Sequence, residues 1–349
     1  MPAHRLLPCL FTVIMAAALA SCGGPTVQDG GNVTQAPQLE SGTARMADGT
    51  HLPIRYWEPE ESPRAVALAL HGFNDYGGAF DSLGRSLAEH GILTVAYDQR
   101  GFGATEARGI WPGEERLIND ARTMLGLLRG RHPETPVYII GKSMGGGITL
   151  AALARDPLPE VDGAVLVAPA VWARRTMPWY QRMALWVGAK VAPGRKVTGR
   201  SLGVTPTDNM PMLREWSRDP LVIRETRIDA VYGLANLMDE ALAASTRLRI
   251  PTLILYGAND EIVPRRPTCR MLEDLPDNGL WDFILYPDGY HMLTRDLQGQ
   301  VVIDDIAAWL LDRNRALPSG LANTAERQRA AFCEDGGPIN DNDSEEVSP

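Results

Sequence analysis

The chain has 349 residues, of which 44% are hydrophobic and 22% are charged, as in folded soluble domains. Its formal net charge of −9 argues against nucleic acid as a partner, because proteins that bind nucleic acid carry an excess of basic residues. Beyond the N-terminus no run of eighteen apolar residues occurs, so no internal membrane span is expected.

The N-terminus has the pattern of a secretory signal peptide, with a weakly basic start and an apolar stretch over residues 6–20. The order Leu19-Ala20-Ser21-Cys22 resembles a bacterial lipobox. This resemblance implies cleavage after residue 21, diacylation of Cys22 and stable anchoring by its acyl chains. Gly23 is not the Asp that often retains lipoproteins at the inner membrane, so in a cell with two membranes we expect the periplasmic side of the outer membrane. Ordinary secretion with cleavage after Ala20 is the alternative.

Both ends of the mature chain are polar. Residues 22–42 are rich in Gly, Gln, Pro, Thr and Asn, which predicts a flexible tether. Residues 317–349 are predicted to form a disordered acidic tail, because residues 334–349 contain six acidic residues and no basic ones. Cys269 and Cys333 are the cysteines that remain after Cys9 of the signal peptide and Cys22, and the sequence leaves their pairing open.

Eight short segments have the character of strands. Residues 43–46 and 51–57 flank a hairpin turn at 47–50. The other six are continuous apolar runs, as expected for strands buried on both faces: 65–70, 92–97, 137–140, 164–167, 252–256 and 282–286. Helix-sized segments lie between or after them at 80–89, 114–131, 144–155, 265–275 and 300–314. The alternation predicts one α/β domain over 43–316, with a mostly parallel eight-stranded sheet flanked by helices.

The alternation of strands and helices is interrupted between the sixth and seventh predicted strands. About eighty residues, 170–249, contain no obvious strand, and we expect a helical cap there. Within it Trp179, Met183, Trp186 and Val187 fall at helical spacing. Such a stripe is usually core, but in an insertion of this kind it also fits a cap whose inner face receives an apolar ligand.

Gly141-Lys142-Ser143-Met144-Gly145 fits the pattern G-x-S-x-G. The serine follows a predicted strand and opens a predicted helix, which is the setting of a nucleophile elbow. Glycines beside such a tight turn let strand and helix approach without clashes of Cβ atoms. Ser143 is therefore the candidate nucleophile.

A serine nucleophile needs a histidine base that is held by a carboxylate. His291 lies in the loop after the last strand, where open α/β sheets collect their functional residues. The other histidines belong to the signal peptide, to the hairpin or to the ends of other elements: His4, His51, His71, His90 and His132. Asp260 follows the seventh strand and is the expected acid, and the loop after the sixth strand has none.

The tetrahedral intermediate needs hydrogen-bond donors for its oxyanion. The amide of Met144 opens a helix, where amides lack acceptors and the helix dipole favours negative charge. The second donor is expected at Phe73, with Gly72 in a backbone geometry closed to other residues. We expect His71 to brace this loop through hydrogen bonds and not to act as a second base.

Together these residues resemble the α/β-hydrolase fold, and more closely its monoacylglycerol lipase and lysophospholipase branch. The resemblance covers about residues 44–311 and includes further segments at 97–103, 218–221 and 289–291. It implies an ester that acylates Ser143, an apolar cap for the acyl chain, and no metal or organic cofactor. Phe73 is bulky where the family often has a small residue, which would narrow the acyl entrance. Thr105 stands where a serine is common, a conservative change.

Two other functions remain as alternatives. A hydrolase similar to proline iminopeptidases shares the fold and triad, and it would need an acidic cluster to hold the amine of its substrate. The cap contains the acids Glu215, Asp219, Glu225, Asp229, Asp239 and Glu240, interspersed with basic residues. The other alternative is a non-catalytic lipoprotein that binds lipid or a partner, although no triad residue is missing. Acyl length, head group and oligomeric state are not encoded in any recognisable motif.

Overall fold

A sheet of nine strands organises residues 24–199 and 203–334, the ranges described by a computed structural model. The strands are β1 (Gln38–Glu40), β2 (Thr43–Arg45), β3 (His51–Trp57), β4 (Ala65–Leu70), β5 (Ile92–Tyr97), β6 (Val137–Lys142), β7 (Gly163–Val167), β10 (Thr252–Gly257) and β11 (Trp281–Tyr286). Their order is β1-β2-β3-β5-β4-β6-β7-β10-β11. All neighbours from β5 to β11 are parallel, whereas β1, β2 and β3 pair antiparallel at one edge. The prediction of a mostly parallel sheet is confirmed.

Helices cover both faces of the sheet. They are α1 (Asp81–Glu89), α2 (Glu114–Arg131), α3 (Met144–Leu153), α4 (Trp179–Val191), α5 (Met210–Trp216), α6 (Ile228–Ser245), α7 (Arg265–Asp274), α8 (Gly299–Leu311) and α9 (Ala325–Glu334). In β4, Val66, Leu68 and Leu70 belong to the core formed with α2 and α3, while Ala65, Ala67 and Ala69 belong to the core formed with α1 and α8. Alternate side chains of a strand point to opposite faces of the sheet. Because helices cover both faces, every side chain of β4 is buried, and the strand is therefore apolar throughout.

The sheet has one strand more than predicted, because β1 lies within the segment expected to be a flexible tether. Gln38 and Glu40 both receive hydrogen bonds from Arg45 of β2. Nearer the N-terminus, the amide of Thr26 donates to Asp229 (3.1 Å) and that of Gln28 to the carbonyl of Trp111 (2.9 Å). These are polar contacts without apolar periodicity, so no sequence pattern predicts them. The predicted signal peptide and Cys22 lie outside the described residues.

The insertion between β7 and β10 contains α4, α5 and α6, together with the two-residue strands β8 (Lys196–Val197) and β9 (Thr226–Arg227). The stripe on α4 is not core: Trp179 is 70% exposed, Met183 53% and Trp186 54%. By contrast, α6 packs on α3, where a Cβ at Gly147 would lie 3.5 Å from that of Ala241. The inner layer of the cap is therefore α6, and the aromatic stripe faces outwards. Within the described ranges, no helix combines the length and apolar character that crossing a membrane requires.

The segment after residue 316 is ordered through Glu334, which corrects the prediction of a disordered tail from residue 317. Helix α9 carries Phe332, whose buried ring packs against Tyr256 (5.2 Å between centroids) and Phe283 (5.9 Å). A disulfide joins Cys333 to Cys269 of α7. One aromatic anchor and one long-range covalent bond hold this helix, and neither produces a local sequence pattern. Residues 335–349 lie outside the described ranges.

Replacing both Cys269 and Cys333 by Ala is expected to lower the free energy of unfolding by about 4 kcal/mol. The bond links residues 64 positions apart and so removes entropy from the unfolded chain. Denaturant titrations of the oxidised wild type and the double variant measure the difference. Reduced wild type serves as the control and should approach the variant; a difference below about 1 kcal/mol would contradict this prediction.

Candidate active site

Ser143 stands alone between β6 and α3, with a backbone conformation of φ 51° and ψ −115°. A positive φ is unfavourable for a residue with a Cβ atom and indicates strain that the surroundings must hold. Ser143 is partly exposed, whereas every other residue of β6 and α3 is buried. The turn therefore presents this hydroxyl at the surface, as the sequence predicts for a nucleophile elbow.

The glycines around Ser143 are required by close backbone approaches. A Cβ at Gly145 would lie 2.0 Å from the carbonyl oxygen of Leu70 in β4, and one at Gly141 would lie 2.5 Å from that of Gly145. At Gly146 it would lie 2.8 Å from the Cβ of Pro169. No side chain fits at these distances. The prediction that small residues allow strand and helix to approach is confirmed.

The loop after β4 passes directly beside the serine. A Cβ at Gly72 would lie 3.4 Å from the Cβ of Ser143 and 3.9 Å from its Oγ. We expected Gly72 to adopt a backbone conformation closed to other residues, but its φ is not in the left-handed region. The residue of this loop with a positive φ is Asn74, at 64°. A glycine at position 72 is thus explained by the limited space beside Ser143 and not by its backbone conformation. The amide of Phe73 follows Gly72 in this loop, and Met144 is the first residue of α3, whose amide has no acceptor within the helix.

His71 braces this loop, as predicted. Its Nε2 accepts the amide of Gln99 (3.0 Å), so its Nδ1 carries the proton and donates to the carbonyl of Gly72 (2.8 Å). The side chain of Gln99 donates in turn to the carbonyl of His71 (2.8 Å). Full burial lowers the pKa of His71, which keeps the ring neutral and suits it to this bridging role.

Asp260 and His291 are joined by a hydrogen bond of 2.8 Å between Oδ2 and Nδ1. The other oxygen of Asp260 accepts the amides of Ile262 (2.8 Å) and Val263 (3.0 Å), which fixes the carboxylate. Glu261 turns away and accepts the amide of Thr205 (2.6 Å). The acid expected from the sequence therefore faces the expected histidine, and its acidic neighbour does not.

Two glycines bring the acid loop and the histidine loop together. A Cβ at Gly257, the last residue of β10, would lie 2.4 Å from the backbone of Gly289, which follows β11. The amide of Asn259 also donates to the carbonyl of Gly289 (2.9 Å). Because β6, β10 and β11 run parallel, Ser143, Asp260 and His291 all follow strand ends at the same edge of the sheet.

A buried charged cluster behind the elbow was not foreseen in the sequence. Lys142 is 4% exposed, although it directly precedes Ser143. Burial lowers its pKa to about 8, and the charge of Asp75 opposes this shift. Arg295 donates to Asp75 (3.3 Å), and Asp296 accepts the amide of Tyr290 (2.7 Å), the residue before His291. The one sequence feature that could have indicated this cluster is a lysine at the end of an otherwise apolar strand.

Lys142→Met is expected to raise the free energy of unfolding at pH 7 by about 3 kcal/mol. The lysine pKa falls from 10.5 in the unfolded chain to about 8 in the folded one, so below pH 8 folding keeps a charge buried. Between pH 8 and 10.5 the unfolded chain binds more protons at Lys142 than the folded chain does. The stability of the wild type therefore rises with pH in this range, towards that of the variant. Denaturant titrations from pH 6 to 11 test this. Lys190→Met on exposed α4 is the control, and an equal effect there would contradict the prediction.

Serine hydrolases of the α/β-hydrolase fold share this arrangement of an elbow, an acid loop and a histidine loop along one sheet edge. The chain is such an enzyme. Within the described ranges, no three His, Cys, Asp or Glu side chains are grouped so that they could hold a metal ion.

The chain belongs to the family described as serine aminopeptidase, S33, which matches residues 61–298. It is 28% identical to the monoacylglycerol lipase of Mycolicibacterium smegmatis over 268 residues, covering 75% of this chain and 94% of the relative. It is 26% identical to the monoglyceride lipase of Homo sapiens over 279 residues, covering 76% and 89%.

The fold is similar to that of solved structures. One is a soluble variant of monoglyceride lipase from Saccharomyces cerevisiae in complex with a substrate analog. It has a TM-score of 0.67 and 21% identity, covering 81% of this chain and 97% of that one. Another is the monoacylglycerol lipase of Paleococcus ferrophilus, with a TM-score of 0.64 and 21% identity, covering 75% and 99%. Both likenesses concern the fold.

Proposed function

We propose that this enzyme hydrolyses carboxylic esters of lipids, of the monoacylglycerol or lysophospholipid type, through an acyl-enzyme on Ser143. The observation that carries the proposal is the 2.8 Å hydrogen bond between Asp260 and His291 at the sheet edge that also bears the strained Ser143. The similarity to enzymes named monoacylglycerol lipase supports the class of substrate.

In this mechanism Nε2 of His291 takes the proton of Ser143 as Oγ attacks the ester carbonyl. Asp260 holds the Nδ1 proton and stabilises the imidazolium. The amides of Phe73 and Met144 donate to the tetrahedral oxyanion. His291 then gives its proton to the departing alcohol, which leaves the acyl group on Ser143. A water molecule, activated in the same way by His291, releases the fatty acid and restores the hydroxyl.

An apolar lining near the oxyanion loop supports a lipid substrate. The ring of Phe73 packs edge-on against Phe102 (5.6 Å between centroids) and lies 6.2 Å from that of Trp111. Phe73 is itself only partly buried, so part of this aromatic cluster remains accessible. Acyl chains bind to such surfaces through the hydrophobic effect. The bulk of Phe73, unusual for the family, is accommodated by these two neighbours.

The peptidase alternative, which the family's description also suggests, lacks support in the cap. An aminopeptidase of this kind needs free carboxylates to hold the substrate amine. Four of the six cap acids are already engaged: Asp219 with the hydroxyl of Tyr76, Asp229 with Arg227, Asp239 with Arg174 and Glu240 with Arg155. A purely binding role is also disfavoured, because the acid–histidine pair is intact and the elbow is strained.

A substrate panel tests this function. Octanoyl glycerol, octanoyl lysophospholipids, p-nitrophenyl butyrate and prolyl p-nitroanilide would be compared by kcat/KM. We expect the kcat/KM of the lipid esters to exceed that of the prolyl amide by at least about 10³-fold, because the site offers apolar contacts and four of the six acids in the described part of the cap are engaged. Faster cleavage of the prolyl amide would overturn the proposal in favour of a peptidase.

We also propose that the enzyme is tethered to a bacterial outer membrane by lipid on Cys22, facing the periplasm. The lipobox-like tetrapeptide supports the anchor. The outward aromatic stripe of α4, with Trp179 and Trp186, is consistent with a position near lipid. Mass spectrometry of the mature N-terminus from bacterial membranes is expected to find acylated Cys22, and Cys22→Ala should move the protein to the soluble fraction. An unmodified N-terminus at Ser21 would contradict the anchor.

A further inference from the structure

A basic cavity of about 840 Å³ lies between the loop at residues 108–110 and the cap. Four cationic side chains line it, Arg108, Lys196, Arg224 and Arg227, against one carboxylate, Glu225. These residues come from three separate parts of the sequence, and the chain as a whole carries a net charge of −9. A local excess of positive charge in an acidic protein indicates a site for an anion.

The positive charge in this cavity is largely uncompensated. Arg108 donates to the carbonyl of Pro220 (2.8 Å) and Arg224 to that of Asp219 (3.2 Å). A carbonyl fixes a guanidinium group without neutralising it. Within the described ranges, neither arginine nor Lys196 forms an ion pair with a carboxylate. Arg227, in contrast, forms an ion pair with buried Asp229 (2.6 Å). It therefore lines the cavity without adding to its unpaired positive charge.

The cavity adjoins the apolar surface near the oxyanion loop. Ile110 and Ile223 line it and also line a smaller pocket that is bordered by Asn74 and Phe102. Asn74 follows Phe73 in the chain, and the ring of Phe102 contacts that of Phe73. The shared wall therefore places the basic cavity next to the part of the structure that packs against the oxyanion loop.

We propose that this cavity binds the phosphate of a lipid head group, so that the enzyme prefers phosphate-bearing glycerol monoesters to neutral monoacylglycerols. The inference rests on the proposed function and specifies its substrate class. Guanidinium groups match the geometry of phosphate oxygens and keep their charge at all relevant pH values. Arg108 and Arg224, one on each side of the cavity, are the determinants of this specificity.

Steady-state kinetics on the full chain test the preference. Octanoyl glycerol and octanoyl glycerol 3-phosphate share one acyl chain and would be used below their aggregation concentrations. For the phosphate substrate, Arg108→Gln combined with Arg224→Gln is expected to raise KM by about 10- to 100-fold with kcat nearly unchanged, since each lost charge-assisted hydrogen bond weakens binding. KM for octanoyl glycerol should stay within twofold. Arg182→Gln, on the exposed face of α4 outside the cavity, is the matched control.

The alternative outcomes are separable. Equal effects of the double variant on both substrates, or none on either, would overturn the inference while leaving ester hydrolysis in place. Failure of wild type to cleave either ester would overturn the proposed function itself. Inorganic phosphate that inhibits cleavage of octanoyl glycerol, in a wild type showing no preference for the phosphate lipid, would indicate a site for the free anion and would also overturn the inference.

Discussion

Ser143→Ala is expected to lower kcat for ester hydrolysis by at least about 10⁴-fold without disturbing the fold. The hydroxyl is the only nucleophile that the elbow presents, and its removal leaves binding and the oxyanion donors in place. Alanine keeps the Cβ atom, so the strained backbone at φ 51° is unchanged and stability should stay within about 0.5 kcal/mol. Steady-state assays with p-nitrophenyl butyrate measure kcat, and denaturant titrations measure the free energy of unfolding.

Ser143→Gly provides the matched control for this prediction. Glycine adopts a positive φ without the penalty of a Cβ atom, so this variant should be equally inactive yet more stable than wild type by about 1 kcal/mol. A stable, inactive protein separates the chemical role of the serine from its structural one. Turnover retained in either variant would remove Ser143 from the mechanism.

Asp260→Asn is expected to lower kcat by about 10⁴-fold with little change in KM. In the wild type one carboxylate oxygen accepts the amides of Ile262 and Val263, while the other accepts from Nδ1 of His291. The Asn oxygen would keep the two amides, which leaves its NH₂ group facing Nδ1. The histidine would then carry its proton on Nε2 and be unable to accept one from Ser143.

Glu261→Gln is the control for the acid. Its carboxylate accepts the amide of Thr205 in the cap, and a glutamine oxygen replaces that contact, so kcat should change less than about threefold. Measuring kcat and KM for both variants with the same ester distinguishes the two neighbours. Comparable losses at positions 260 and 261 would point to a general disturbance of the loop and contradict the assigned role of Asp260.

The parts of the fold that depend on local apolar patterns could be predicted from the sequence. Strands such as β4 and β5 are buried on both faces and therefore read as unbroken apolar runs. Asp260 and His291, which the structure joins by a hydrogen bond, could be singled out because each follows such a run. Edge strand β1 and helix α9 were missed, since the first relies on polar contacts with Arg45 and the second on a bond to distant Cys269.

The polar interior was harder to predict for a different reason. Nothing local to Lys142 shows that its side chain is buried within the electrostatic influence of Asp75, which lies 67 positions earlier in the chain. Likewise Arg108 and Arg224 converge on one cavity only because the cap folds back over the loop that carries Arg108. Charges brought together by tertiary folding leave no periodic pattern, whereas the spacing of apolar residues does.

The contact between Gly257 and Gly289 has a consequence for directed evolution of this enzyme. The two loops approach so closely here that neither position has room for a Cβ atom, so a library that diversifies either position would separate the acid from the histidine and yield mostly inactive clones. The outer cap tolerates more variation, because α4 leaves most of its side chains in solvent. Altered substrate ranges should therefore be sought by recombining cap segments above an unaltered glycine pair.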